Sequence, residues 1–125
     1  MLAAGSLIAF VPVTDVGRAM HFYGDLLGLS VIDQAENWCT LGAHGAALRL
    51  TLVDSKPDVE FTKVGWAVTD IEDTVSDLAA RGVAFQRYPN FEQDDSGIWA
   101  SPNGDRVAWL LDPDQNILSI TQFAG

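Results

Sequence analysis

The chain has one cysteine, Cys39, two histidines, His21 and His44, and seven lysines and arginines among its 125 residues. A lone cysteine cannot close an intramolecular disulfide. There is also no Asn-x-Ser/Thr sequon, and the first basic residue is Arg18, so the N-terminus lacks the charged start of a secretory signal. These absences lead to the expectation of a cytoplasmic protein. Seven cations against 17 acids leave a net charge of -10, which repels the phosphate backbone of DNA or RNA, and no local basic cluster offsets it. No nucleic-acid partner is expected. The longest apolar run, Leu7 to Val13, is strand-sized and carries Pro12, far short of the roughly 20 apolar residues a spanning helix needs, so no membrane partner is expected either. Also missing are Cys-x-x-Cys and His-x-x-x-His pairs, a Gly-x-Ser-x-Gly elbow, a Walker loop, a Gly-x-Gly-x-x-Gly turn and an EF-hand loop. Common hydrolase, nucleotide and metal signatures are therefore absent.

Apolar residues make up 48% of the chain, enough for a packed core, and the length suits one domain, residues 1–125. Within it a weak duplication is visible. Val11-Pro12-Val13-Thr14-Asp15 closes a strand-like run and opens a helical pattern, and Trp66-Ala67-Val68-Thr69-Asp70 repeats this 55 residues later. After Asp15, the residues Val16, Ala19, Met20, Tyr23 and Leu27 recur at helical spacing up to Gly28. After Asp70, Ile71, Val75, Leu78 and Ala79 do so up to Gly82. Strand-like runs follow each helix: about 30–35, 38–41 and 46–53 in the first half, and 83–87, 98–100, 106–111 and 117–122 in the second. Asn103-Gly104 is a hairpin signal, and Asp112-Pro113-Asp114-Gln115-Asn116 a turn. Two β-α-β-β-β modules, about 5–55 and 60–123, define an α+β fold in which helices cover one face of a mixed sheet.

Alternation separates the faces. Leu48, Leu50 and Leu52 share one side of their strand and Arg49 and Thr51 the other, while Ser119 and Thr121 take the polar side of the last strand. The pattern leaves open whether that polar side is plain surface or a site. His21 in a helix and His44 in a turn are read as surface or packing residues, and Cys39 as a small buried hydrophobe. The carboxylates of 54–60 and 92–95 read as solvated turns. Four tryptophans, Trp38, Trp66, Trp99 and Trp109, offer flat surfaces for a planar ligand; Trp66 is assigned to the core by its phase with Val64 and Val68, and Trp109 is left open between core and site.

The two Val/Thr/Asp helix starts, the segment His21-Phe22-Tyr23-Gly24-Asp25-Leu26-Leu27-Gly28 and the turn 112–116 together resemble the vicinal oxygen chelate superfamily. It includes glyoxalases, extradiol dioxygenases, fosfomycin-resistance enzymes and bleomycin-resistance proteins. The resemblance implies curled sheets forming a cup, and a homodimer whose cups draw on both chains. It also places the four positions that hold metal in metal-dependent relatives at Ile8, Arg49, Lys63 and Ser119. None is a usual ligand, so no metal and no cofactor are expected. The implied ligand site comprises Ile8, Phe10, Pro12, Trp38, Arg49, Thr51, Lys63, Trp109, Ser119 and Thr121. The implied function is a metal-free binding protein that sequesters an antibiotic or another planar aromatic molecule. The alternative is a lyase, isomerase or dioxygenase of the same superfamily, either metal-dependent with displaced ligands or metal-independent with Arg49 as electrostatic stabiliser.

Overall fold

Two aspartates start the two helices in the same way. Asp15 and Asp70 both hold extended backbone, and each carboxylate accepts the backbone N–H three residues on, from Arg18 (2.9 Å) and from Asp73 (3.0 Å). Each thereby satisfies one of the donors that a helix start leaves unpaired. The computed structural model describes residues 2–55 and 60–125. Of the carboxylates expected in the 54–60 turn, Asp58 lies outside the described residues. Contacts divide the chain into two compact units, Met1–Val59 and Glu60–Gly125.

In the first unit a 3-10 turn (Leu2–Ala4) precedes β1 (Ile8–Val13), α1 (Val16–Met20), a π-helical segment (His21–Leu26), β2 (Ser30–Gln34), β3 (Trp38–Ala43) and β4 (Ala46–Leu52). The sheet order is β1-β4-β3-β2, with β1 parallel to β4 and the other pairs antiparallel. The single helix expected up to Leu27 is thus an α-helix that widens after Met20, where Leu27 N–H bonds to the Phe22 carbonyl. The wider turn lets the consecutive rings of Phe22 and Tyr23 both lie in the core, edge to face at 5.2 Å. Val11, Val13, Cys39, Leu41 and Leu50 of the same unit are each fully buried. A leucine so buried contributes about 1.5–3 kcal/mol.

The second unit repeats the plan with β5 (Thr62–Ala67), α2 (Ile71–Ala80), β6 (Trp99–Ala100), β7 (Arg106–Leu111) and β8 (Ile117–Gln122). Its order is β5-β8-β7-β6, again with the first pair parallel. Ile71, Val75 and Leu78 of α2 pack with Ala108, Leu110, Leu118 and Ile120. Trp66 is paired with Ile120 on that helix-covered side and is half-buried. The fold is α+β, as the alternation predicts. No helix among the described residues is long and apolar enough to cross a membrane.

The strand expected over 83–87 does not form. Only Phe85 bridges to Leu110, and Gln86 N–H reaches the Trp109 carbonyl. The backbone groups that would continue the ladder are taken by the Gln93 side chain: its Nε2 donates to the Gln86 carbonyl (2.9 Å), and its Oε1 accepts from Tyr88 N–H (2.8 Å). An amide side chain thus stands in for a neighbouring strand, and Pro89, with no N–H, prevents resumption.

Candidate ligand-binding site

Each sheet has a face turned away from its helix, and most of the expected site residues lie there. In the first unit β1 pairs place Ile8 beside Ala47, Phe10 beside Arg49 and Pro12 beside Thr51, while β3 pairs place Thr40 beside Arg49 and Trp38 beside Thr51. Directly paired residues point to the same side, so Ile8, Phe10, Pro12, Trp38, Arg49 and Thr51 share one face. Phe10 is 61% exposed and Ile8 41%. Arg49 Nε donates to Thr40 Oγ1 at 2.9 Å, and its guanidinium carbon lies 4.5 Å from the centre of the Trp38 ring. Thr51 Oγ1 is shielded from solvent and has no hydrogen-bond partner among the described residues.

In the second unit Trp109 pairs with Ser119, and Thr121 with Val107, again on the uncovered face. Trp99 pairs with Val107 and joins them. The Ser119 hydroxyl packs directly over Gly65, so close that a Cβ at Gly65 would collide with it. Lys63 is the extra residue of a bulge between Thr62 and Val64, and its ammonium lies 5.1 Å from the Phe61 ring centre.

Over Trp109 and Trp99 lies the loop that leaves the sheet after Gln86 and returns at Trp99. Phe91 stacks on Trp109 (centroids 5.1 Å apart, planes 18° apart) and tilts against Trp99 at 4.7 Å. Tyr88 meets Trp109 edge-on at 5.5 Å, and the two tryptophans are 6.0 Å apart. All four rings are half-buried. Gln93 Nε2 also donates to the Gly97 carbonyl (2.7 Å), Asp94 Oδ1 accepts from Ser96 and Ile98 N–H (2.9 Å each), and Arg87 donates to the Asp94 carbonyl. The loop is therefore pinned at both ends. Burial, and secondarily the negative charge of Glu60, raises the Tyr88 phenol above its ordinary value.

Tyr88, Phe91, Trp99, Thr40 and Gln93 are the participants that periodicity does not reveal. The four-tryptophan count pointed to Trp99, whereas Tyr88 and Phe91 sit in a loop with no phase to read. Cys39 is fully buried, and desolvation, aided by the Asp33 charge, raises its thiol pKa, which disfavours the thiolate. His21 bonds to Asp25 at 2.9 Å with both side chains largely exposed, a surface pair one helical turn apart. Two open grooves, of about 390 and 290 Å³, lie elsewhere. One runs along Val75, Ala79, Phe85 and Arg87, the other along Met20, Gly24 and Val31.

A family model described as Glyoxalase/Bleomycin resistance protein/Dioxygenase superfamily matches residues 6–120. The chain belongs to this superfamily. Solved structures share the fold. The glyoxalase/bleomycin resistance protein/dioxygenase of Alicyclobacillus acidocaldarius superposes with a TM-score of 0.76 at 18% identity, covering 98% of this chain and 93% of that one. A superfamily member from Sphaerobacter thermophilus DSM 20745 gives 0.75 at 22%, covering 98% and 100%. The lactoylglutathione lyase of Agrobacterium tumefaciens gives 0.75 at 14%, covering 95% and 93%. No curated protein matches the chain.

Superfamily membership raises the question of whether the side chains present suit a metal. Of the four positions the resemblance singles out, Ile8 is aliphatic, Arg49 and Lys63 are cations set against aromatic rings, and Ser119 offers a single hydroxyl packed on Gly65. Neither Ile8 with Arg49 in the first unit nor Lys63 with Ser119 in the second is a donor set that fits a divalent cation. Among the described residues no three His, Cys, Asp or Glu side chains gather closely enough to share a metal.

Proposed function

We propose that this superfamily member is a metal-independent binding protein for a planar aromatic small molecule, of the sequestering kind that antibiotic resistance uses. The observation that carries the reading is the aromatic cluster of Tyr88, Phe91, Trp99 and Trp109 on the uncovered face of the second sheet. Rings arranged this way supply broad, flat, apolar area at low conformational cost, and a conjugated ligand extends the stack. Ser119 and Thr121 on the same face supply hydroxyls to orient its polar edge. A homodimer belongs to the same reading: Phe10, Ile32 and Phe61, each at least 58% exposed, give a second copy apolar surface to cover.

Calorimetric titration with a panel of planar aromatic antibiotics and aromatic acids, in buffer containing a chelator, tests this function. At least one compound is expected to bind saturably to the wild-type protein and to lose most of that affinity in Trp109→Leu, whose folding is checked by circular dichroism. Silence across the whole panel, or unchanged affinity in the variant, overturns it.

A further inference from the structure

We infer that Arg49 is an anion-recognition group on the uncovered face of the first sheet, built to take a carboxylate carried on an apolar body. The site lies within the first unit and does not rest on the aromatic cluster of the second.

The arginine is held from two directions. Its backbone is fixed between Thr40 on β3 and Phe10 on β1. Its Nε–H is used by the hydroxyl of Thr40, a residue only 5% exposed, and its planar head lies against the Trp38 ring. One hydrogen bond and one ring contact fix both the position and the plane of the guanidinium, so little rotamer freedom remains to be lost on binding. Of its five N–H donors only one is thereby used. The two terminal nitrogens keep the parallel pair of donors that matches a carboxylate in bidentate fashion.

The charge around Arg49 differs from that around the arginines that form ion pairs. Acids outnumber cations 17 to 7, and Arg81 and Arg106 each have one, Asp77 at 3.4 Å and Glu72 at 2.7 Å. Arg49 is half-buried, yet no carboxylate lies within 4.0 Å of it among the described residues. Asp33, paired with Thr40 one strand further out, is the acid nearest in the register, and it is exposed and makes no ion pair with Arg49. A partly desolvated, immobilised guanidinium with no carboxylate beside it among the described residues suits an anionic ligand.

The surroundings define the ligand class. Phe10 beside Arg49, and Ile8 beyond it, present apolar surface to water on the same face. The hydroxyl of Thr51, two residues along β4 on the same face, has no hydrogen-bond partner among the described residues. One guanidinium neutralises one charge, so a monoanionic aryl or alkyl carboxylate fits better than a phosphate dianion. Where the resemblance puts a metal-binding carboxylate, this chain presents the opposite charge, and the preference of the position inverts from cation to anion.

The test is a titration of the full-length protein with benzoate, its neutral isostere benzamide and phenylphosphonate, followed by the Arg49 side-chain Nε–H resonance and by calorimetry. Benzoate is expected to move that resonance and to bind at least tenfold more tightly than benzamide, with affinity falling as salt rises; Arg49→Gln abolishes the preference and Arg49→Lys retains part of it. Equal binding of benzoate and benzamide, tighter binding of phenylphosphonate, or a benzoate preference that survives in folded Arg49→Gln overturns the inference. If Arg49→Gln does not fold, the isostere comparison on the wild-type protein decides.

Discussion

Phe91 lies nearly parallel to Trp109, with ring centres 5.1 Å apart, although the two residues come from a loop and a sheet strand of different character. The contact closes the loop onto the sheet and keeps the indole from full exposure. Phe91→Ala is therefore expected to shift tryptophan emission to longer wavelength and to destabilise the fold by about 1–2 kcal/mol, the loss of one half-buried ring and its stacking. Fluorescence and urea unfolding check both, and an unchanged emission maximum would contradict the contact.

The loop itself depends on Gln93, whose amide makes three hydrogen bonds, to Gln86, Tyr88 and Gly97. Gln93→Ala leaves three half-buried backbone groups unpaired and is expected to lower stability by about 2–3 kcal/mol. Hydrogen exchange then accelerates at Tyr88 N–H ahead of global unfolding. Protection equal to wild type at that amide would contradict the role.

The turn at 112–116 carries its own test. Asp112, 2% exposed, accepts hydrogen bonds from Asp114 N–H (2.9 Å), Asn116 N–H (2.8 Å) and Asn116 Nδ2 (2.8 Å). Charge-assisted bonds to a buried carboxylate are strong, and Asp112→Ala is expected to destabilise by about 3 kcal/mol or more, read as a lower urea midpoint at unchanged slope. A loss no larger than that of an exposed aspartate in the 92–95 turn would refute it.

Alkaline pH is expected to weaken the fold. The folded-state pKa of Cys39 is raised from 9.0 by burial and then by Asp33, and that of Tyr88 from 10.0 by burial and then by Glu60. A raised pKa means the folded chain holds the proton more tightly than the unfolded chain. The resulting stability is complete below these ordinary values and is lost as pH climbs through the window above them. Urea midpoints across that range measure the decline, and Glu60→Gln lowers the Tyr88 transition seen by phenolate absorbance. A flat profile above 9.0 would contradict the assignment.

Much of this architecture was legible in the residue pattern. The repeated Val/Thr/Asp starts became two aspartate caps with matching geometry, and the alternation of Leu48, Arg49, Leu50 and Thr51 placed each residue on the face it occupies. Local signals sufficed because caps and strand faces are set by neighbours in sequence. The 83–87 run failed as a strand because its backbone groups are intercepted by Gln93, seven residues beyond Gln86 and five beyond Tyr88, a side-chain substitution no periodicity encodes. For the same reason the cluster around Trp109 was only partly visible: Tyr88 and Phe91 reach it through loop geometry. The widening of the first helix answers the demand of Phe22 and Tyr23 for the same core, which an ideal 3.6-residue period conceals.

Whether this superfamily member works without a metal is the central question. Equilibrium dialysis of the purified protein against zinc, nickel, manganese and iron(II), followed by elemental analysis, measures this directly. The side chains at Ile8, Arg49, Lys63 and Ser119 predict no stoichiometric uptake of any of the four. One tightly held ion per chain, lost on substitution at Ser119 or at a carboxylate near it, would contradict the account.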